Sequence, residues 1–201
     1  MELSDRETWT IVHGMLAGAL FILAFAGGLA GLWSLRPGFL TQAAIMERMR
    51  RLYVGVWVMA GAAWITVLSG TWIVYPWYRE ALAGETYAGC AGLSLPEAAA
   101  CSPKDFLLSN VSGQTDAWHT FGMEWKEHVA WMAPILATAV AFLVTYYGPR
   151  LIPRTRLRAA AIVMFVAAFG AAVVGGAFGA FINKIAPIVW RDHEEREHVG
   201  A

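Results

Sequence analysis

The sequence predicts an all-α integral membrane protein, an up-and-down bundle of four helices with both chain ends on the outer side. Three observations predict it. Hydrophobic residues make up 58% of the 201 positions and charged residues only 15%, far from the balance of a soluble domain. Four stretches, Thr8 to Leu35, Leu52 to Tyr78, Val129 to Gly148 and Ala159 to Asn183, lack Asp, Glu, Lys and Arg. Each reaches the roughly 20 residues that cross a bilayer core of about 30 Å. Finally, a formal net charge of zero conceals a segregation of charge along the chain.

That segregation sets the expected topology. The short connections "RPGFLTQAAIMERMRR" and "PRLIPRTRLR" carry Arg36, Arg48, Arg50 and Arg51, and Arg150, Arg154, Arg156 and Arg158, against a single acid, Glu47. By the positive-inside rule both face the cytoplasm. The amino end, the second connection and the carboxyl tail then face outward, with all 5 histidines on that side or at its boundary. The expected setting is the inner (cytoplasmic) membrane, crossed four times. The leader "MELSDRE" is acidic and the first apolar run is too long for a signal h-region, so the first segment is expected to stay as a helix.

A single domain, 1–201, accommodates the chain, with helices over about 8–35, 52–78, 120–148 and 158–184, an outer loop 79–118 and an outer tail 185–201. Short inner connections make helices 1 and 2, and helices 3 and 4, antiparallel neighbours. The outer loop is too long for a bare turn. Ser94 with Pro96 and Ser102 with Pro103 are helix-start signals, and they predict an ordered extracytoplasmic cap between helices 2 and 3. Cys90 and Cys101, the only cysteines, fall in this loop and are expected to pair. A disulfide closing a loop of that length contributes roughly 3 kcal/mol in the chain-entropy picture.

Small residues at helical spacing, Gly14 with Gly18 and the run Ala167, Ala171, Gly175 and Gly179, predict close helix approach. Aromatic residues cluster toward the outer boundary, as interface belts do.

The chemistry is expected among the boundary histidines. His13 lies just inside helix 1 and His128 opens the apolar part of helix 3. Both helices run from outside to inside, which puts the two rings at similar depth. Paired imidazoles at one level can supply the fifth and sixth ligands of a haem iron, and ionisable residues within a membrane segment mark function by default. Glu124, at i−4 from His128, is placed to accept from its Nδ1–H. His119 lies nine residues before His128, on the opposite face of a regular helix and about 13 Å above it, and suits a second polar site. Lys126 and Lys184 are candidates to orient a quinone carbonyl or a haem propionate, or simply to snorkel. A non-haem zinc, copper or iron on His13, Glu124 and His128, with Glu127 as a further ligand, is the nearest competitor, although neither HExxH nor a cysteine box is present. His193 and His198 lie in a tail of alternating charge that reads as solvated.

The segments "WTIVHG" and "EWKEHVAWMAP" resemble the ligand-bearing helices of small four-helix membrane cytochromes b and quinone-reactive anchor subunits. The resemblance implies paired histidines holding haem b inside the bundle, with quinone at the haem edge. Helices 2 and 4 and the cytoplasmic side lack histidine, so a second haem across the membrane is not expected. The expectation is a membrane electron-transfer subunit with one haem b on His13 and His128. It would oxidise quinol and pass electrons to a periplasmic cytochrome or to another electron-transfer subunit. Two alternatives come from other classes: a cofactor-free accessory subunit of a larger respiratory or photosynthetic complex, and a metal-dependent membrane enzyme. The spans hold no midplane charge and no paired broken helices, which argues against a transporter. No basic groove with interleaved aromatics is present, which argues against a nucleic-acid partner.

Overall fold

A computed structural model describes residues 5–35, 41–80, 102–109 and 113–186. Among them every regular element is helical, and four helices are long and apolar enough to cross a membrane: helix 1, Thr8–Ser34; helix 2, Ala43–Arg79; helix 3, Trp118–Leu151; and helix 4, Thr155–Ile185. The chain is a multi-pass membrane protein on these grounds. Cys90 and Cys101, and with them the expected disulfide, lie outside the described residues, as do Ser94, His193 and His198.

The helices close into a ring. Helix 1 packs on helix 2, helix 2 on helix 3, helix 3 on helix 4, and helix 4 returns to helix 1 through the least extensive of these contacts. Helices 1 and 3 are therefore diagonal. Phe25, Leu32, Val56, Met59, Val140, Val144 and Phe165 fill the shared core. In lipid, association relies on packing and interhelical hydrogen bonds, and both are present. Phe25 stacks on Phe169 with ring centroids 3.9 Å apart. Gly28 gives the Phe165 ring its place, since a β-carbon there would lie 2.5 Å from Cζ. Two indoles of helix 2 donate to helix 3, Trp57 to Thr145 and Trp64 to Thr138, each at 3.0 Å.

The two ends of the bundle differ in kind. At the arginine end, Arg158 of helix 4 donates to the carbonyls of Leu35 at 2.6 Å and Ile152 at 2.7 Å. It thereby satisfies backbone groups left open by a helix end and a tight turn. At the opposite, histidine end, a short cap helix, Pro103–Leu108, begins as the Ser102–Pro103 signal predicts. Ser102 and Asp105 form a reciprocal capping box there. Phe106 and Leu107 of the cap pack with Tyr78, Met123, Ile182 and Ala186 over the ends of helices 2, 3 and 4.

Of the predicted small-residue contacts, Gly175 meets helix 3 at Lys126 and Ala130, and Gly179 meets Lys126. Among the described residues nothing lies within 4 Å of a β-carbon at Gly14 or Gly18, so this GxxxG pair does not seat one of the other three described membrane helices.

Candidate functional site

Three of the four membrane helices loosen into a π turn, and all three turns lie toward the histidine end: Val12–Leu16 in helix 1, Gly70–Val74 in helix 2 and Trp118–Met123 in helix 3. In each, the backbone N–H of residue i+5 reaches the carbonyl of residue i: Ala17 to Val12, Tyr75 to Gly70 and Glu124 to His119. A π turn re-aims side chains by inserting one residue into the helical register, and such turns concentrate at functional sites. Here they carry His13, face it, and carry His119.

His13 turns toward helix 2. Its Nδ1 stands 3.1 Å from the hydroxyl of Ser69, and its ring lies on Gly70, where a β-carbon would be 2.6 Å from Cε1. Ser69 is buried and gives its own proton to the Thr66 carbonyl at 3.2 Å. A hydroxyl that donates to Thr66 accepts from the imidazole, an arrangement that puts the proton on Nδ1 and makes Nε2 the acceptor nitrogen.

Lys126 crosses from helix 3 toward helix 4, where Gly175 and Gly179 make room for it. A β-carbon on Gly179 would sit 2.8 Å from Nζ. The ammonium is close enough to His13 and to Glu127 to act on both electrostatically. Glu127 faces Tyr75 of helix 2, and its Oε1 is buried without a hydrogen-bond partner among the described residues. An unpaired buried carboxylate oxygen is costly. Among the described residues it is the one buried side-chain oxygen or nitrogen without a hydrogen-bond partner.

His119 is 8% exposed, and its Nδ1 lies 2.8 Å from the Tyr78 hydroxyl. Its Nε2 lies 4.0 Å from Oε1 of Glu124, whose side chain is 49% exposed. The i, i+5 register of the π turn brings His119 and Glu124 to one face. A regular helix would separate them.

The site residues expected from sequence divide accordingly. His13, His119, Lys126 and the Glu124 carboxylate belong to the polar end. His128 is exposed, together with Met132 and Ile135 below it, while Ala133, Pro134, Ala137 and Val140 of the same helix are buried. It points away from the bundle. Its Nδ1 meets the backbone carbonyl of Glu124 at 2.7 Å, not the Glu124 carboxylate that the i−4 spacing suggested. Lys184 is exposed, as a snorkelling lysine would be.

His13 and His128 stand on diagonal helices, one turned to helix 2 and the other exposed. No group of three His, Cys, Asp or Glu side chains converges as a metal site among the described residues. Sequence reasoning passed over Ser69, and took Tyr75 and Tyr78 only as part of the outer aromatic cluster and Glu127 only as a further ligand of a non-haem metal. The signal for Glu127 was present, because it falls one residue from Lys126 within a span.

Comparison with protein-family models, curated proteins and solved structures yields no match to this chain.

Proposed function

We propose that the chain is a quinone-reactive membrane subunit that binds the headgroup of a quinol at its histidine end. Its electrons pass to the redox centre of a partner, a periplasmic cytochrome or another membrane subunit. The observation that carries this reading is Glu127 Oε1, a buried acceptor without a hydrogen-bond partner among the described residues, next in sequence to Lys126, whose ammonium acts electrostatically on His13.

The chemistry suits a two-electron, two-proton carrier. A quinol offers two hydroxyl protons and, once oxidised, two carbonyl oxygens. Glu127 Oε1 and His13 Nε2 are acceptors for the hydroxyls, and the Lys126 ammonium is a donor for a carbonyl. Ionisable groups in a membrane span mark ligand or proton pathways, and here they gather where a headgroup enters from the lipid interface. Charge asymmetry of the connections supports an outward-facing histidine end. Haem b, expected on His13 and His128, is not needed for this reading, which uses His13, turned to Ser69 of helix 2, and leaves out the exposed His128.

An azidoquinone photolabel in native membranes tests it. Labelling should fall on the segment containing Lys126 and Glu127 and be displaced by excess quinone. Labelling confined to segments remote from the histidine end would overturn the reading.

A further inference from the structure

We infer that Tyr78, His119 and Glu124 form a proton-exit relay from the interior of the histidine end to its surface. The inference takes the quinol reading as the origin of the protons, while the path itself rests on geometry alone.

The three groups descend in burial and are linked in order. Tyr78 is 1% exposed and His119 8%, whereas the Glu124 side chain is 49% exposed. Tyr78 is bonded to His119 Nδ1 at 2.8 Å, and Nε2 faces Glu124 at 4.0 Å, a gap that a small rotation of an exposed carboxylate closes. At its inner end the relay meets the proposed quinol site. Tyr75 stacks on Tyr78 with centroids 6.1 Å apart and faces Glu127. Arg79, Lys104, Glu124 and Glu127 are the charged groups that bear on His119 from helix 2, the cap helix and helix 3. Helix 4 closes this end with Phe178 and Ile182.

The proton balance is simple. A proton arriving at the Tyr78 oxygen lets the tyrosine pass its own proton to Nδ1. The imidazolium then releases its Nε2 proton to the Glu124 carboxylate, which loses it to water. The ring, left as the Nδ1–H tautomer, is reset by exchange with water. It turns Nδ1–H away from Tyr78, gives that proton to water, gains one from water at Nε2 and turns back, with no net change in protons. No electron moves in these steps. A purely structural histidine needs both nitrogens satisfied, but it does not need its second partner to be a half-exposed carboxylate brought into register by a π turn.

The test uses the full chain in lipid nanodiscs with ¹⁵N-labelled histidine, reading exchange of the ring N–H protons with water by NMR. The relay predicts that Glu124→Gln slows exchange at His119 at least tenfold, that Tyr78→Phe alters it likewise, and that His13 is unaffected. Because Glu124 is exposed, the Gln variant should retain the fold, checked by its melting profile. Unchanged exchange at His119 in Glu124→Gln overturns the relay. Decylubiquinone added to the same samples separates the two ideas. If it leaves the His13 and His119 signals unmoved while Glu124→Gln still slows exchange, the quinol reading fails and the relay stands.

Discussion

His13 and Ser69 form a hydrogen-bonded pair across helices 1 and 2, with Nδ1 and the hydroxyl 3.1 Å apart, and Ser69 in turn donates to Thr66. One buried serine thereby decides which imidazole nitrogen is free, and gives helix 1 a polar anchor at the level of its π turn.

Replacing Ser69 by Ala removes the acceptor and leaves a half-buried N–H with only the Thr66 carbonyl in reach. Stability should fall by about 1 kcal/mol, read as a lowered melting midpoint in detergent. The His13 ¹⁵N resonances should shift as the hydroxyl contact is lost, and Ser69→Thr, which keeps the hydroxyl, should leave them near their wild-type positions.

Glycine positions should separate sharply. Gly70→Ala meets the His13 ring at 2.6 Å, and Gly28→Ala meets Phe165 at 2.5 Å. Each should cost about 1–3 kcal/mol, the range for overpacking. Gly14→Ala, with nothing within 4 Å, should be neutral or stabilising by up to about 1 kcal/mol. Melting profiles of the three variants side by side check the ordering.

Gly179→Ala presses on the Lys126 amine, where a β-carbon would lie 2.8 Å from Nζ. The end of a lysine can move, so stability should change by less than in Gly28→Ala. Quinone affinity should fall severalfold as the ammonium is displaced from Glu127. A binding titration beside a melting profile distinguishes this outcome from general destabilisation.

The fold was legible in the sequence because spans announce themselves by length and by the absence of charge. The Ser102–Pro103 helix start was legible for an equally local reason, since a capping box is written in adjacent residues. The inward face of a span is harder to read. Lipid is as apolar as the core, so hydrophobicity does not say whether His128 points inward or outward. The sequence does not show which way a side chain points around its helix, and the placement of His13 and His128 on diagonal helices depends on the closed bundle. The His119–Glu124 register was hidden for another reason: 3.6-residue periodicity assumes a regular helix, and the π turn over Trp118–Met123 adds a residue. Glu127 could be named from sequence as a further metal ligand, but that its Oε1 is buried without a hydrogen-bond partner among the described residues is visible only in the fold.

The central claim, that the polar histidine end receives a quinone headgroup, is tested most directly by the binding isotherm of decylubiquinone to the purified chain in nanodiscs. The account predicts saturable binding at one site per chain. Lys126→Ala and Glu127→Gln should each weaken it at least tenfold, about 1.4 kcal/mol, His13→Ala should also weaken it, and the outward-facing His128→Ala should leave it unchanged. Absence of saturable binding, or an affinity equal in wild type, Lys126→Ala and Glu127→Gln, would contradict it.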